Sequence, residues 1–192
     1  MRSARVKRVT REVDIEVSLM IDGKGESKVE TGVAFLNHML ATLAKHAYWS
    51  LEVQASGDLV HHVVEDVGLV LGESLRKALG EKRGIRRFGY ALIPMDDSLA
   101  RASVDLGGRP YVLLDLKLSG VDVEGLKTED IKHFFFSFGQ SLQANIHLSI
   151  LYGDNDHHKV ESAVKALAVA IREASAIDER IKGERPSVKG IL

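Results

Sequence analysis

Cysteine is absent from this chain of 192 residues. That excludes disulfides and thiolate metal ligands, and it suits a reducing compartment. Net charge is nearly absent too, with 26 basic side chains against 27 acidic ones. With no basic excess, and aromatic residues at 6%, the chain lacks the basic-aromatic surface of a nucleic-acid binder. No apolar run approaches the ~18 residues of a membrane span. Met1 to Thr10 is basic without an apolar stretch, so no secretory signal is expected. Glu12 and Asp14 interrupt what would otherwise pass for an arginine-rich transit start. These absences point to a cytoplasmic protein that binds neither nucleic acid nor membrane. What is present is an ordinary globular composition, 45% hydrophobic and 28% charged. The chain is long enough to bury a sizeable core.

The most informative stretch is written twice. It reads His61-His62-Val63-Val64-Glu65, then His157-His158-Lys159-Val160-Glu161, half a chain length apart. Each copy opens a long segment with apolar residues at helical spacing.

The elements around the two copies also repeat. Residues 13–21 alternate apolar and polar, as a half-buried strand does. A turn at Asp22-Gly23-Lys24-Gly25 leads to a second strand near 27–31. Helical spacing follows from Val33 to His46, then a strand over 49–55, then the first motif helix, ending at Leu79 and Gly80. The second half gives a strand over 98–106, a turn at Gly107–Pro110 and a strand from Tyr111 to Leu118. A helix capped by Thr128, Glu129 and Asp130 carries His133. A strand from Asn145 to Leu151 then leads to the last helix, for which Asp154, Asn155 and Asp156 offer capping oxygens. The expected fold is therefore α+β. It is one domain, residues 1–192, made of two pseudo-equivalent β-β-α-β-α halves (about 1–90 and 91–192) with sheets packed against helices. Residues 80–97 read as a charged, glycine-rich link, and the tail from Asp178 as irregular.

On a helix, His61 and Glu65 lie one above the other, while His61 and His62 point about 100° apart. An adjacent pair therefore serves two metals better than one. His38 and His133 stand at equivalent places on the preceding helices. Six histidines and two glutamates divide evenly into three imidazoles and one carboxylate per ion. That donor set leaves positions open for a chelating substrate and suits Mn²⁺, Fe²⁺, Co²⁺ or Zn²⁺. His46 and His147 lack a ligand-spaced carboxylate, and structural roles are expected for both. Each other candidate has a plainer local reading. Lys165 lies four residues after Glu161, where an ion pair would account for it.

With these residues the chain resembles the imidazoleglycerol-phosphate dehydratase family of histidine biosynthesis. The resemblance spans nearly the whole chain. Its carriers are Arg8–Glu12, Phe35–Leu40, Gly57-Asp58, His61–Asp66, Gly84–Gly89, Asp105–Pro110, His133–Phe135, Leu151–His158 and Pro186–Gly190. It implies a fold like that of ribosomal protein S5 domain 2 and a monofunctional hydro-lyase. The implied assembly is a homo-oligomer of 24 subunits built from trimers, with a di-manganese site shared between subunits. The implied reaction is loss of water from D-erythro-imidazoleglycerol phosphate, giving imidazole acetol phosphate. Carried over by position, the metal ligands are His38, His61, His62, Glu65, His133, His157, His158 and Glu161, the set already reached from spacing. Glu12, with Glu65 and Glu161, is a catalytic candidate, matching a glutamate at the reacting carbons. Arg87, Arg109, Lys165, Ser187 and Lys189 match the contacts to the substrate phosphate. The chemistry expected is metal-bound imidazolate with acid–base removal of water, the phosphate holding the substrate in place.

The chain departs from the family pattern near its first motif. The loop before His61 is about three residues short, which leaves that helix without an obvious cap. Asn37 stands for an aspartate that could have held the second nitrogen of His38. Thr42, Val13 and Phe136 also differ. A di-metal hydrolase, an RNA-binding module and a metal-storage protein are the competing readings. The low aspartate content of the motifs opposes the first and the neutral charge opposes the second. The third leaves the basic residues at 86–109 and 165–189 without a purpose.

Overall fold

The computed structural model describes residues 1–190. The first half runs β1 (Ser3–Val9), β2 (Val13–Met20), β3 (Glu26–Glu30), α1 (Ala34–Ala47), β4 (Ser50–Gly57) and α2 (Val60–Leu79). The second runs β5 (Phe88–Met95), β6 (Ser98–Asp105), β7 (Tyr111–Asp115), a hairpin of β8 (Asp122–Val123) and β9 (Leu126–Lys127), α3 (Thr128–Leu142), β10 (Asn145–Tyr152) and α4 (Asp156–Ser175). The sheet orders are β1-β2-β4-β3 and β5-β6-β10-β7. In each sheet one edge pair is parallel, β3 with β4 and β7 with β10, and the other pairs are antiparallel. The two halves thus share one topology, as the duplication predicts.

Alternation explains which way each sheet faces. Val13, Ile15, Val17 and Leu19 of β2 are buried, while the residues between them reach the surface. Helices α1 and α2 cover the inner face of the first sheet, and α4 and α3 cover the second. The halves join helix to helix, α1 on α4 and α2 on α3. Phe134, Phe135 and Phe138 of α3 are buried in the core. Gly68 and Gly72 of α2 let α3 come close: a Cβ at Gly68 would lie 2.8 Å from the Phe134 carbonyl oxygen.

Each half also carries a strand ahead of the β-β-α-β-α series, β1 and β5. The supposed link at 80–97 contains β5. Its alternation is hidden because Phe88, Tyr90 and Leu92, on the outward side, are as apolar as the inward side. β7 stops at Asp115, short of Leu118. The tail is irregular but tied down: the Gly84 N–H donates to the Glu184 carbonyl oxygen (2.8 Å), and the Asp178 N–H to that of Gly84 (2.8 Å). No helix among the described residues is long and apolar enough to cross a membrane.

Candidate active site

Both motifs sit in the first turns of their helices, α2 and α4, and each meets a histidine from the other half. His38 of α1 joins His157 and Glu161 of α4, and His133 of α3 joins His61 and Glu65 of α2. In each group one donor atom per residue lies within 4.8 Å of the others. The helix seams cause this, since α1 packs on α4 and α2 on α3. In the first group Glu161 Oε2 lies 3.5 Å from His38 Nε2 and 3.3 Å from His157 Nε2. In the second, His61 Nε2 lies 3.5 Å from Glu65 Oε2, and the His61 and His133 rings are 5.2 Å apart. Buried Phe35 backs the first group, its ring 5.4 Å from that of His157.

His62 and His158 belong to neither group. Helical rotation turns each away from its neighbour in the motif, as the 100° argument requires. His62 Nδ1 meets Asp58 Oδ1 at 2.8 Å, and His158 Nδ1 meets Asp97 Oδ1 at 2.5 Å. The hydrogen bond to Asp58 raises the proton affinity of His62, and that to Asp97 does the same for His158. Asp97 is correspondingly held far below the usual carboxylate range by His158 and by the Asn155 and Asp154 N–H groups.

All four motif histidines share this arrangement. His61 Nδ1 lies 2.6 Å from Asp130 Oδ1, and His157 Nδ1 lies 3.1 Å from Glu124 Oε1. A carboxylate on Nδ1 fixes the ring and leaves Nε2 free as a basic ligand atom. Metal-ligating imidazoles are supported in this way, and the residues present fit a divalent ion at each group. Sequence reasoning missed Asp58, Asp97, Glu124 and Asp130 in this role. Asp58 alone carried a local signal, four residues before His62.

The departures from the family pattern have local consequences. Leu59 precedes α2 and offers it no side-chain cap, whereas Asn155 Oδ1 accepts from the His157 and His158 N–H groups at the start of α4. Asn37 turns to the end of β3: its Oδ1 accepts from Thr31 N (3.1 Å) and Thr31 Oγ1 (2.6 Å), which ties β3 to α1.

The basic candidates fall into two sets. Lys165 lies beside the first metal group, its Nζ 2.8 Å from Glu161 Oε1, so the four-residue spacing is a made ion pair. Burial pushes the Glu161 carboxyl up, but hydrogen bonds from Lys165 and His38 outweigh it and leave the group below its usual range. Arg87 lies elsewhere. Its Nε and Nη2 clasp Asp105 at 2.7 and 3.1 Å, and its Nη1 donates to the Pro186 carbonyl oxygen at 2.9 Å. That contact brings the Ser187–Lys189 turn, in which Lys189 N donates to Ser187 Oγ, next to Arg87. A Cβ at Gly107 would lie 2.9 Å from the Arg87 guanidinium, and Arg109, two residues on, is exposed with its carbonyl held by Asn145. Glu12 lies at the exposed bend between β1 and β2, where its charge acts on His62.

Arg87 is far from both metal groups in its own chain. Its N–H donates to the carbonyl of Ala174, at the far end of α4 from His158. Through Leu106 and Lys82 it also adjoins the end of α2 opposite His61. At 1.5 Å per residue each helix sets these points about 24–27 Å apart. His46 is half-buried, and its carbonyl accepts from Arg172. His147 is exposed, its ring 5.7 Å from that of Tyr111. Neither joins a metal group. A concavity of about 690 Å³ on the outer face of the first sheet holds none of the site histidines.

A family model described as imidazoleglycerol-phosphate dehydratase matches residues 31–171, which include both histidine–glutamate groups. The chain belongs to the imidazoleglycerol-phosphate dehydratase family. The enzyme of that name from Thermoanaerobacter pseudethanolicus is 48% identical, with 100% of each chain covered. That from Chloroherpeton thalassium is 47% identical over 100% of this chain and 98% of its own. The solved dehydratase structure from Pyrococcus furiosus superposes with a TM-score of 0.85 at 36% identity, covering 97% of this chain and 100% of that one. The Staphylococcus aureus dehydratase structure gives 0.84 at 35% identity, covering 92% and 99%. The duplicated fold is therefore the dehydratase fold, and the chain is an enzyme, a carbon–oxygen hydro-lyase of histidine biosynthesis.

Proposed function

We propose that this chain converts D-erythro-imidazoleglycerol phosphate to imidazole acetol phosphate in the cytoplasm, using two divalent ions per site, with Mn²⁺ the first choice. The observation that carries the reading is the pair of histidine–glutamate groups whose Nδ1 atoms rest on carboxylates. His38, His157 and Glu161 would hold one ion and His61, Glu65 and His133 the other. His62 and His158, turned away from both groups, would complete the sets of neighbouring copies. When bound, such ions supply Lewis acidity toward an imidazole ring nitrogen.

The chain's own residues supply the rest. The Glu12 side chain, exposed beside His62, takes the carbon-bound proton as a carboxylate or, once protonated, hands a proton to the departing hydroxyl. Arg109, Ser187 and Lys189 hold the phosphate, while Arg87 adds charge and pins the turn at Pro186. Lys165 offers a further cation at the edge of the first metal group. Fixing both ends of a small substrate turns binding into orientation of the reacting carbons.

The separation of about 24–27 Å along the helices exceeds any span a three-carbon phosphate can bridge. It supports a site assembled from more than one copy, as in the 24-subunit assembly of trimers that the resemblance implies. The test is conversion of imidazoleglycerol phosphate by metal-stripped protein with and without added Mn²⁺, and by Glu12→Gln. Activity restored by metal and lost in Glu12→Gln is expected. Folded, metal-loaded wild-type protein that leaves the substrate untouched would overturn the reading.

A further inference from the structure

We propose that Lys82 is a positioning residue for the phosphate end of the site. This role rests on the reading that Arg87 and Arg109 serve the substrate phosphate. Lys82 follows α2 and is 7% exposed, a cation that the chemistry above does not use. Lysine is almost never buried unless it is paired. Its Nζ donates to the Leu106 carbonyl oxygen at 2.9 Å. The Leu106 N–H in turn donates to the Arg87 carbonyl oxygen at 3.0 Å. Leu106 is therefore held from both sides, by the Arg87 backbone and by the Lys82 ammonium.

The two cation-bearing segments meet at this point. Asp105, which takes both bonds of the Arg87 clasp, is the residue before Leu106. Gly107, the residue after it, packs so close that a Cβ would lie 2.9 Å from Arg87 Nη2 and from both Asp105 carboxylate oxygens. Arg109 comes two residues later, and Asn145 Nδ2 donates to its carbonyl oxygen at 2.6 Å. The segment is thus tied at Asp105 to Arg87, at Leu106 to Lys82 and at Arg109 to β10. Gly107 and Gly108 bring no side chains of their own. Among the described residues, Lys82 is the one side chain that bonds to the backbone of 106–108.

Charge gives a reason for a lysine here. Burial pushes the Lys82 ammonium below its ordinary value, Asp105 opposes this, and Arg76 and Arg87 add to it. Three cations thus share this end of the molecule with one carboxylate that acts on Lys82. Arg76 Nε is buried with no hydrogen-bond partner among the described residues. The surplus positive charge is what an arriving phosphate relieves. A neutral donor could satisfy the Leu106 carbonyl but would not add to that charge.

The experiment measures inhibition of the full-length, Mn²⁺-loaded enzyme by two small probes, inorganic phosphate for the cationic end and imidazole for the metal end. Lys82→Met keeps the stem and loses the donor and the charge. Lys82→Gly suits the left-handed φ of 57° at this position and keeps the test open if the first variant fails to fold. Arg109→Ala is the reference lesion, and circular dichroism checks the fold. The expected result is several-fold weaker inhibition by phosphate and a higher KM in both Lys82 variants, with imidazole inhibition and bound Mn²⁺ unchanged. Wild-type phosphate inhibition in either folded Lys82 variant, while Arg109→Ala loses it, overturns the role of Lys82 and leaves the phosphate reading standing. Weaker inhibition by both probes also overturns it, because a general structural defect moves both ends of the site. Wild-type phosphate inhibition in Arg109→Ala, or a wild-type enzyme that phosphate does not inhibit, removes the phosphate reading and the proposal with it.

Discussion

Removing the carboxylate behind His61 is the sharpest local perturbation this structure offers. Asp130 stands in the first turn of α3, 3% exposed, with Oδ1 2.6 Å from His61 Nδ1. Asp130→Ala deletes that acceptor, so the ring loses both its orientation and the negative charge that makes Nε2 a good donor. Loss of such a partner weakens metal binding by about 10–100-fold, which is about 1.4–2.7 kcal/mol. Asp130→Asn keeps an acceptor and loses only the charge, so it should fall between wild type and Asp130→Ala. Either change also removes an acid from a helix start, costing folding about 0.3–1 kcal/mol. The assay is competition between metal-free protein and a chelator for Mn²⁺, with thermal unfolding alongside. Affinity of folded Asp130→Ala within about twofold of wild type, well short of the expected range, would refute the support role.

Gly72→Ala should lower the unfolding midpoint, because the added Cβ meets the Phe138 carbonyl and the α2–α3 seam must open. An overpacked contact of this kind costs about 1–3 kcal/mol by urea denaturation. Asn155→Ala removes the oxygen that accepts two N–H groups at the start of α4, and should cost about 1 kcal/mol in the same assay. Acid should destabilise the metal-free chain. The Arg2 guanidinium holds Asp22 below its ordinary value of 3.8. At Asp156, burial raises the carboxyl, but bonds from Lys159 and the 119–120 N–H groups outweigh it and the net shift is also downward. A depressed folded value means that the unfolded chain binds more protons, so this stability is present above pH 3.8 and lost as pH falls through the folded values. Urea midpoints at about pH 6 and about pH 3 should differ less in Asp156→Asn than in wild type.

Much of this was legible locally. The repeated motif, with His38 and His133 at matched places, yields both metal groups because helix periodicity alone decides which side chains share a face. The same geometry forecasts that His62 and His158 turn away. What stayed hidden depends on distant parts of the chain. Asp130 is 69 positions from His61 and Asp97 is 61 from His158, and no spacing rule links them. β5 was missed because its outward residues are apolar, so the alternation that reveals β2 is erased. β1 was passed over because its outward residues are basic and only Val6 is fully buried. The two sets of cations look like one phosphate site in sequence. Only the run of α4 separates them, since Lys165 stands nine residues, about 13–14 Å of helix, before the Ala174 carbonyl that accepts the Arg87 N–H.

The central claim is that each histidine–glutamate group holds one ion needed for dehydration. Counting Mn²⁺ bound per chain while activity returns to stripped protein tests it most directly, with Glu65→Gln and Glu161→Gln as single-group lesions. Two ions per chain at full activity, with one lost and activity gone in each variant, is the predicted result. Full activity with a single ion bound, or unchanged metal content in both variants, would contradict the account.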